Sequence, residues 1–257
     1  MSALLDHLRR RMEGGRKLLV PYLMGGIPDA PSWPSAVAAT ARFADALEIG
    51  LPYSDPLMDG PLIAAAGERV IRSGIGPYEA LSMSADLPAD PPCVAMTYYN
   101  PIHRRGEAEF CATLARAGFS GLIVPDLPLE ESAGLRAAAA DAGLAWIPLV
   151  APTSPGARVE SIVATCTGFV YAVSTLGVTG ARASLSERAA AVVAACKEHT
   201  DLPVLVGIGV STPQHAREAV ESADGVVIGS AVVQRMLESG AEATAEFLGE
   251  VRAALDD

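Results

Sequence analysis

Short apolar stretches alternate with longer amphipathic stretches along most of the chain. The apolar stretches are too uniformly apolar for half-exposed antiparallel strands, which indicates buried parallel strands. The stretches between them have apolar residues at helical spacing and often end at glycine. Strands are predicted at residues 17–24, 44–49, 93–98, 121–124, 144–150, 168–173, 202–206 and 224–228. Eight strands, each followed by a helical segment, predict a (β/α)8 barrel, with a doubly wound open sheet as the alternative.

Three helical segments lie outside this alternation. Residues 2–13 form a predicted helix before the first strand, and residues 77–84 form a second short helix after strand two. A short helix up to residue 237 precedes the final helix at 241–255. No linker, charge block or low-complexity tract divides the chain. The sequence therefore predicts an α/β protein: a single (β/α)8 TIM barrel domain over residues 1–257, with an extra N-terminal helix and short extra helices after strands two and eight.

Composition narrows the class of partner. Half of the 257 residues are apolar, and 30 acidic against 19 basic residues give a net charge of -11. This charge argues against nucleic acid or an anionic membrane surface as partner. The sequence has no apolar run of the roughly 18 residues that a membrane helix needs, and no signal-peptide pattern. The four cysteines are irregularly spaced, as is typical of reduced core residues. We expect a soluble, cytoplasmic protein that acts on a small molecule.

An acidic residue inside the second predicted strand is the most unusual feature of the sequence. Glu48 lies in the apolar run 44–49, where an unpaired carboxylate is costly, so it either pairs with an arginine or has a chemical role. Asp55 and Asp59 follow in a loop at the carboxyl end of that strand, where barrels place their active sites. Each of the two could instead serve only as a turn residue. Asp126, between two prolines after strand four, could brace a loop or contact a substrate.

Glycine-rich turns follow the last two strands. Gly207-x-Gly209-x-Ser211 follows strand seven, and Gly229-Ser230 follows strand eight at the start of a helix. Barrels commonly bind phosphate at these two loops, because backbone amides and a helix N-terminus attract oxyanions. The alternative is a pair of ordinary tight turns. A backbone phosphate site would suit a chain that has only two lysines.

Missing residue patterns exclude several mechanisms. Lys17 opens strand one and Lys197 lies in a helix, so neither suits a Schiff-base mechanism. The four histidines are scattered, which argues against a metal-dependent reaction. The nucleophile elbow and the dinucleotide-binding spacing are both absent. The remaining chemistry is acid–base catalysis by carboxylates on a phosphorylated substrate, with no cofactor in this chain.

Several of these runs resemble the tryptophan synthase alpha subunit family. Residues 48–61, EIGLPYSDPLMDGP, are similar to its long glutamate-to-aspartate signature. Residues 124–132 (VPDLPLEES) and 174–180 (STLGVTG) are similar to its loops after strands four and six. The turns at 206–211 and 228–230 resemble its phosphate-binding turns. These matches span most of the chain and occur in the family's order.

The resemblance implies a retro-aldol cleavage of indole-3-glycerol phosphate to indole and glyceraldehyde 3-phosphate. It implies that Glu48 is the general acid–base, that Asp59 holds the indole N–H, and that Tyr171 supports Glu48 or the substrate. These roles agree with the residues themselves, because a carboxylate suits a transient cation and a strand-buried acid can have its pKa moved toward neutrality. The implied substrate and phosphate contacts are Tyr22, Met96, Ile123, Thr179, Gly180, Ile208, Gly209, Gly229 and Ser230.

The resemblance also implies a partner. The family's alpha subunit pairs with a pyridoxal-phosphate beta subunit in an alpha2-beta2 heterotetramer. Asp55, Pro56 and Asn100, the last in a turn predicted at residues 99–101, would face that partner. Three alternatives stay open: a free-standing indole-releasing lyase, a non-catalytic subunit that only activates a partner, and another phosphate-binding barrel of amino-acid biosynthesis.

Overall fold

The computed structural model describes residues 2–85, 87, 89–173, 182–207 and 209–257. Within these ranges every paired strand is parallel to its neighbours. The strands are β1 Leu18–Met24, β2 Leu47–Gly50, β3 Cys93–Met96, β4 Phe119–Ile123, β5 Ala145–Trp146, β6 Leu149–Val150, β7 Val170–Val173, β8 Val204–Gly207 and β9 Gly225–Ile228. Their order across the sheet is β5-β4-β3-β2-β1-β9-β8-β7-β6.

The two outermost strands of this order are consecutive in the chain, and this closes the sheet. Only Ile147 and Pro148 separate β5 from β6. The Ile147 N–H donates to the carbonyl of Leu122 on β4 (3.1 Å), while the Tyr171 N–H of β7 donates to the carbonyl of Pro148 (3.1 Å). The predicted barrel is thus confirmed. The single strand predicted at 144–150 was wrong in one respect: Pro148 has no N–H to donate, and the segment forms two short strands instead.

Helices cover the outside of the barrel and its amino end. They are α1 Ala3–Arg11, α2 Trp33–Ala41, α3 Pro61–Arg72, α4 Pro77–Met83, α5 Tyr99–Arg105, α6 Glu107–Arg116, α7 Ala133–Asp141, α8 Gly156–Val163, α9 Arg182–Lys197, α10 Pro213–Ala219 and α11 Ser230–Asp256. Gly240 (φ +83°) divides α11 into two pieces, because a left-handed backbone interrupts a helix. No helix in the described ranges has both the length and the apolar character needed to cross a bilayer.

Helix α5 replaces the turn that the sequence predicts at residues 99–101. The Asp126 carboxylate, on the loop after β4, accepts the N–H of Tyr99 at the start of this helix (2.9 and 3.2 Å to its two oxygens). A helix start needs such acceptors, and here a residue distant in sequence supplies one. Asp126 therefore braces a loop, one of the two roles that its sequence position allows.

The amino end of the barrel is closed and apolar. Leu4 and Leu8 of α1 belong to one buried cluster with inward-facing barrel residues such as Leu18, Val94 and Phe169. This packing explains why an amphipathic helix precedes the first strand, since the helix covers the barrel floor. Access to the interior is left to the carboxyl end, where the loops after the strands lie.

A buried ion-pair network fastens this closed end. Asp45 is fully buried, and its carboxylate accepts hydrogen bonds from Arg11 (2.7 Å), Arg16 (3.2 Å) and Arg252 (3.1 Å). It also accepts the N–H of Leu19 on β1 (2.8 Å). Because Arg11 lies on α1 and Arg252 on α11, one carboxylate joins the two ends of the chain to the barrel.

Candidate active site

Glu48 is a buried carboxyl group on β2 that points into the barrel. Its register partners are Tyr22 on β1 and Val94 on β3, and Val94 belongs to the interior cluster. Its side chain is 1% exposed, and within the described residues its Oε2 has no hydrogen-bond partner. Burial, with a smaller contribution from the Asp59 charge, raises the pKa of Glu48 to about 8. Glu48 is therefore protonated near neutral pH. The arginine pairing considered from the sequence is found at Asp45 instead.

Asp59 is the second acid of the site, on the loop between β2 and α3. Burial raises its pKa to about 6, and a hydrogen bond from the Tyr98 hydroxyl opposes that rise. The charge of Asp59 contributes to the raised pKa of Glu48, so the two carboxyls act on each other. Near neutral pH one of them is a neutral acid and the other an anion. Environments that separate two carboxyl pKa values in this way divide acid and base roles between them.

Two tyrosines lie beside these acids. Burial raises the pKa of both Tyr22 and Tyr171, and the nearby charges of Asp59 and Glu48 raise it further. The Tyr22 ring lies against Gly50 and the Tyr171 ring against Gly207, so closely that a Cβ at either glycine would overlap the ring. These two glycines are thus required for the rings to reach the barrel interior.

The predicted apolar wall residues occupy inward positions near the acids. Met96 is the register partner of Gly50 on β2 and of Ile123 on β4. Ile123 belongs to the interior cluster and Met96 packs against it; they lie two strands and one strand away from β2, respectively. These inward positions give an apolar surface beside the acids, which suits a flat, uncharged ring.

Part of the predicted phosphate site lies next to Tyr22. Gly229 comes directly before α11, and a Cβ on it would lie 3.3 Å from Ile63 Cδ1 and 3.8 Å from Tyr22 Cβ. Ser230 is the exposed first residue of that helix. The Val232 N–H donates to the Gly229 carbonyl (3.0 Å), and the N–H groups of the first two helical residues, Ser230 and Ala231, have no acceptor within the helix. Gly209, after β8, is exposed, and a Cβ on it would meet no atom within 4 Å. An anion here would meet backbone amides and one hydroxyl. Thr179, Gly180 and Ile208 lie outside the described residues.

The residues expected to face a partner lie on one exposed side of the site. Asp55 and Asn100 are exposed, and Pro56 is half-buried. Between Pro56 and Asp59 come Leu57 and Met58, whose side chains are 84% and 45% exposed. Sequence reasoning did not single out these two, although adjacent large apolar residues in a loop are the signal that could have found them. They extend the candidate partner surface.

Tyr98 is a further site residue that sequence reasoning missed. It is buried and follows β3; its hydroxyl accepts the Met58 N–H (3.0 Å) and lowers the pKa of Asp59. The sequence places it at the end of an apolar strand, where an aromatic residue is usually core. Its partner Asp59 is distant in sequence, so no local pattern connects the two.

A metal site is not evident in the part of the chain that the structure describes. No group of three or more His, Cys, Asp or Glu side chains there could hold a metal ion. The two lysines lie at the amino end of the barrel: Lys17 Nζ donates to the Ala223 carbonyl (2.8 Å), and Lys197 Nζ pairs with Asp224 (2.8 Å).

Comparison with known proteins places this arrangement in a family. The family model for the tryptophan synthase alpha chain matches residues 8–254. The chain is 41% identical to the tryptophan synthase alpha chain of Acaryochloris marina, over 99% of this chain and 98% of that protein. It is 42% identical to that of Synechococcus elongatus, over 100% and 98%.

Solved structures agree. The chain is similar to Mycobacterium tuberculosis tryptophan synthase, with a TM-score of 0.91 and 39% identity over 99% of this chain and 98% of that one. It is also similar to the alpha subunit from Legionella pneumophila, with a TM-score of 0.91 and 30% identity over 100% and 99%. Since these matches cover nearly its full length, the chain belongs to the tryptophan synthase alpha chain family.

Proposed function

We propose that Glu48 and Asp59 carry out the family's reaction in this chain. As a tryptophan synthase alpha chain it is a carbon–carbon lyase of L-tryptophan biosynthesis, which cleaves indole-3-glycerol phosphate to indole and glyceraldehyde 3-phosphate. The assignment of the two acids rests mainly on one observation: Glu48 and Asp59 lie close enough for the charge of Asp59 to raise the pKa of Glu48. Burial raises the pKa of Glu48 to about 8 and that of Asp59 to about 6, so Glu48 is protonated and Asp59 ionised near neutral pH. These are the two states that the reaction needs.

The proposed proton movements balance within one residue. Glu48 donates its proton to the indole carbon that bears the glycerol chain, and the ring becomes cationic. The resulting Glu48 carboxylate then accepts the proton of the adjacent hydroxyl. As the O–H electrons form the aldehyde C=O, the carbon–carbon bond breaks and its electron pair returns to the ring, releasing neutral indole. Glu48 ends protonated, as it began.

Asp59 has a different task in this scheme. Its carboxylate accepts a hydrogen bond from the indole N–H. This hydrogen bond is strongest when the ring carries positive charge. An interaction that strengthens as charge develops lowers the barrier rather than only tightening substrate binding. Tyr171, beside Glu48, supports the acid or the ring, and Tyr22, Met96 and Ile123 provide apolar contacts.

The phosphate of the substrate would bind at the rim formed by Gly209, Gly229 and Ser230. Backbone amides at the start of α11 would supply donors, and the Ser230 hydroxyl one more. We place Thr179, Gly180 and Ile208 in the same contact set from the family resemblance alone.

Ser230→Ala is expected to raise KM for indole-3-glycerol phosphate about tenfold with little change in kcat, because it removes one hydrogen bond to a charged group remote from the bond that breaks. Steady-state kinetics would show this split. Inorganic phosphate should inhibit the variant less than the unaltered protein. A tenfold fall in kcat with unchanged KM would contradict this placement of the phosphate.

We also propose a beta-subunit partner that contacts Asp55, Pro56, Leu57, Met58 and Asn100, in an alpha2-beta2 tetramer. The exposed apolar pair in this surface supports burial against another protein. Pyridoxal phosphate would belong to that partner, since both lysines of this chain are engaged at the closed end of the barrel.

Indole release from indole-3-glycerol phosphate, measured with and without a beta subunit, tests the proposal. We expect release by the chain alone and a faster rate with the partner. Equal rates would favour a free-standing lyase. No release under either condition, with protection against thermal unfolding by a different phosphorylated substrate, would indicate another barrel enzyme.

A further inference from the structure

The catalytic carboxylate of Asp59 sits on a loop that needs an external support. Residues 51–60 form no helix or strand, and Leu57 and Met58 within them are exposed. A group that stabilises a developing charge must nevertheless hold its position closely, because small displacements cost large factors in rate. Something outside the loop therefore has to fix Asp59.

Tyr98, just after β3, provides that support. Its hydroxyl accepts the Met58 N–H (3.0 Å), so it binds the backbone directly before Asp59. The same hydroxyl lowers the pKa of the Asp59 carboxyl. Tyr98 is 3% exposed, so water competes little for the Met58 hydrogen bond.

The Tyr98 ring contacts the loop at a second point. It stacks on Tyr53, itself a loop residue, with ring centroids 5.1 Å apart, and the Tyr53 hydroxyl accepts a hydrogen bond from the Asn100 side chain outside the loop (2.8 Å). The next residue, Tyr99, is fixed at its N–H by Asp126. A side chain restrained in this way can restrain the loop that it contacts.

We propose that Tyr98 is a positioning residue that holds the Asp59 carboxylate in place for the indole N–H. This inference rests on the role proposed above for Asp59. Four titratable groups act on or respond to Asp59: Glu48 on β2, Tyr22 on β1, Tyr171 on β7 and Tyr98 itself. Of these, only the Tyr98 hydrogen bond lowers the pKa of Asp59, against the effect of burial.

The test is Tyr98→Phe in the full chain, which keeps the stacked ring and removes only the hydroxyl. We expect kcat/KM to fall about tenfold, the effect of losing one hydrogen bond to a charged group. The acid limb of the pH profile should move to higher pH, because Asp59 then ionises less readily. A purely structural role would not move that limb.

Tyr99→Phe is the matched control. The Tyr99 hydroxyl bonds to Glu107 on α6 (2.9 Å), away from Asp59, so this variant should keep the unaltered rate and pH profile. A double-mutant cycle with Asp59→Asn tests whether Tyr98 acts through Asp59: Tyr98→Phe should then add no further loss.

Two outcomes would overturn the inference: an unchanged rate and acid limb in Tyr98→Phe, or a full tenfold loss that persists in the Asp59→Asn background. The second would mean that Tyr98 acts on the substrate directly. In either case the unaltered chain would still release indole, whereas failure of the proposed function would abolish that release. If Tyr98→Phe melts well below the unaltered chain, the cycle is measured at a temperature where both variants are folded.

Discussion

Glu48→Gln is expected to lower kcat/KM for indole-3-glycerol phosphate cleavage by about a thousandfold, within the range that a positioned general acid–base contributes. The amide keeps the size of the side chain but can neither donate a proton to the ring nor accept one from the hydroxyl. Indole formation by the purified chain measures the loss. The fall should appear in kcat and kcat/KM together, because the proton transfers belong to the transition state.

Glu68→Gln is a suitable control, since Glu68 is exposed on α3 and pairs with Arg72 on the same helix. This variant should cleave substrate at the unaltered rate. An unchanged rate in Glu48→Gln would instead remove Glu48 from the mechanism and favour the non-catalytic, partner-activating subunit.

Glu48→Gln should lower activity but raise the stability of the folded chain at high pH. Burial raises the pKa of Glu48 from an ordinary value of 4.5 to about 8, so the folded chain holds a proton that the unfolded chain releases. Stability from this group is present below pH 4.5 and is lost as the pH rises toward 8. Glutamine has no such dependence. Burial of this acid therefore costs stability at alkaline pH. Melting temperatures should show Glu48→Gln gaining stability relative to the unaltered chain as the pH rises from below 4.5 to above 8.

The barrel and its buried strand acid, Glu48, could be predicted from sequence because both are encoded locally. Uniformly apolar strands separated by amphipathic helices define the alternation, and an acid within such a strand stands out at once. The glycine turn before Ser230 is likewise a local signal. Turn residues and strand periodicity depend only on neighbouring residues, so both can be recognised in a single sequence.

Contacts between distant segments could not be predicted in this way. Asp45 and Glu48 lie three residues apart on the same apolar run. Asp45 pairs with three arginines at the closed end, whereas Glu48 Oε2 has no hydrogen-bond partner among the described residues. Helix α5 depends on Asp126, and the position of Asp59 depends on Tyr98. In each case the partner is far away in sequence, and only the closed barrel brings the two together.

Asp59→Asn is expected to lower kcat/KM about a hundredfold, because a neutral amide stabilises the cationic ring far less than a carboxylate. The larger consequence is for the pH profile. With Asp59 needed ionised and Glu48 protonated, the unaltered chain should show a bell-shaped kcat/KM with limbs near about 6 and about 8. These limbs belong to the coupled pair of carboxyls.

The pH profile of Asp59→Asn separates the titration of the two carboxyls from that of the substrate, whose phosphate also titrates near pH 6. Removing Asp59 removes its ionisation, so the acid limb should flatten to the part that comes from phosphate. It also removes a negative charge that raises the pKa of Glu48, so the alkaline limb should move to lower pH. Both shifts follow only if the two carboxyls share one pocket. An Asp59→Asn profile that keeps both limbs where they were would mean that neither limb reports on Asp59, and the pairing of these acids in catalysis would be wrong.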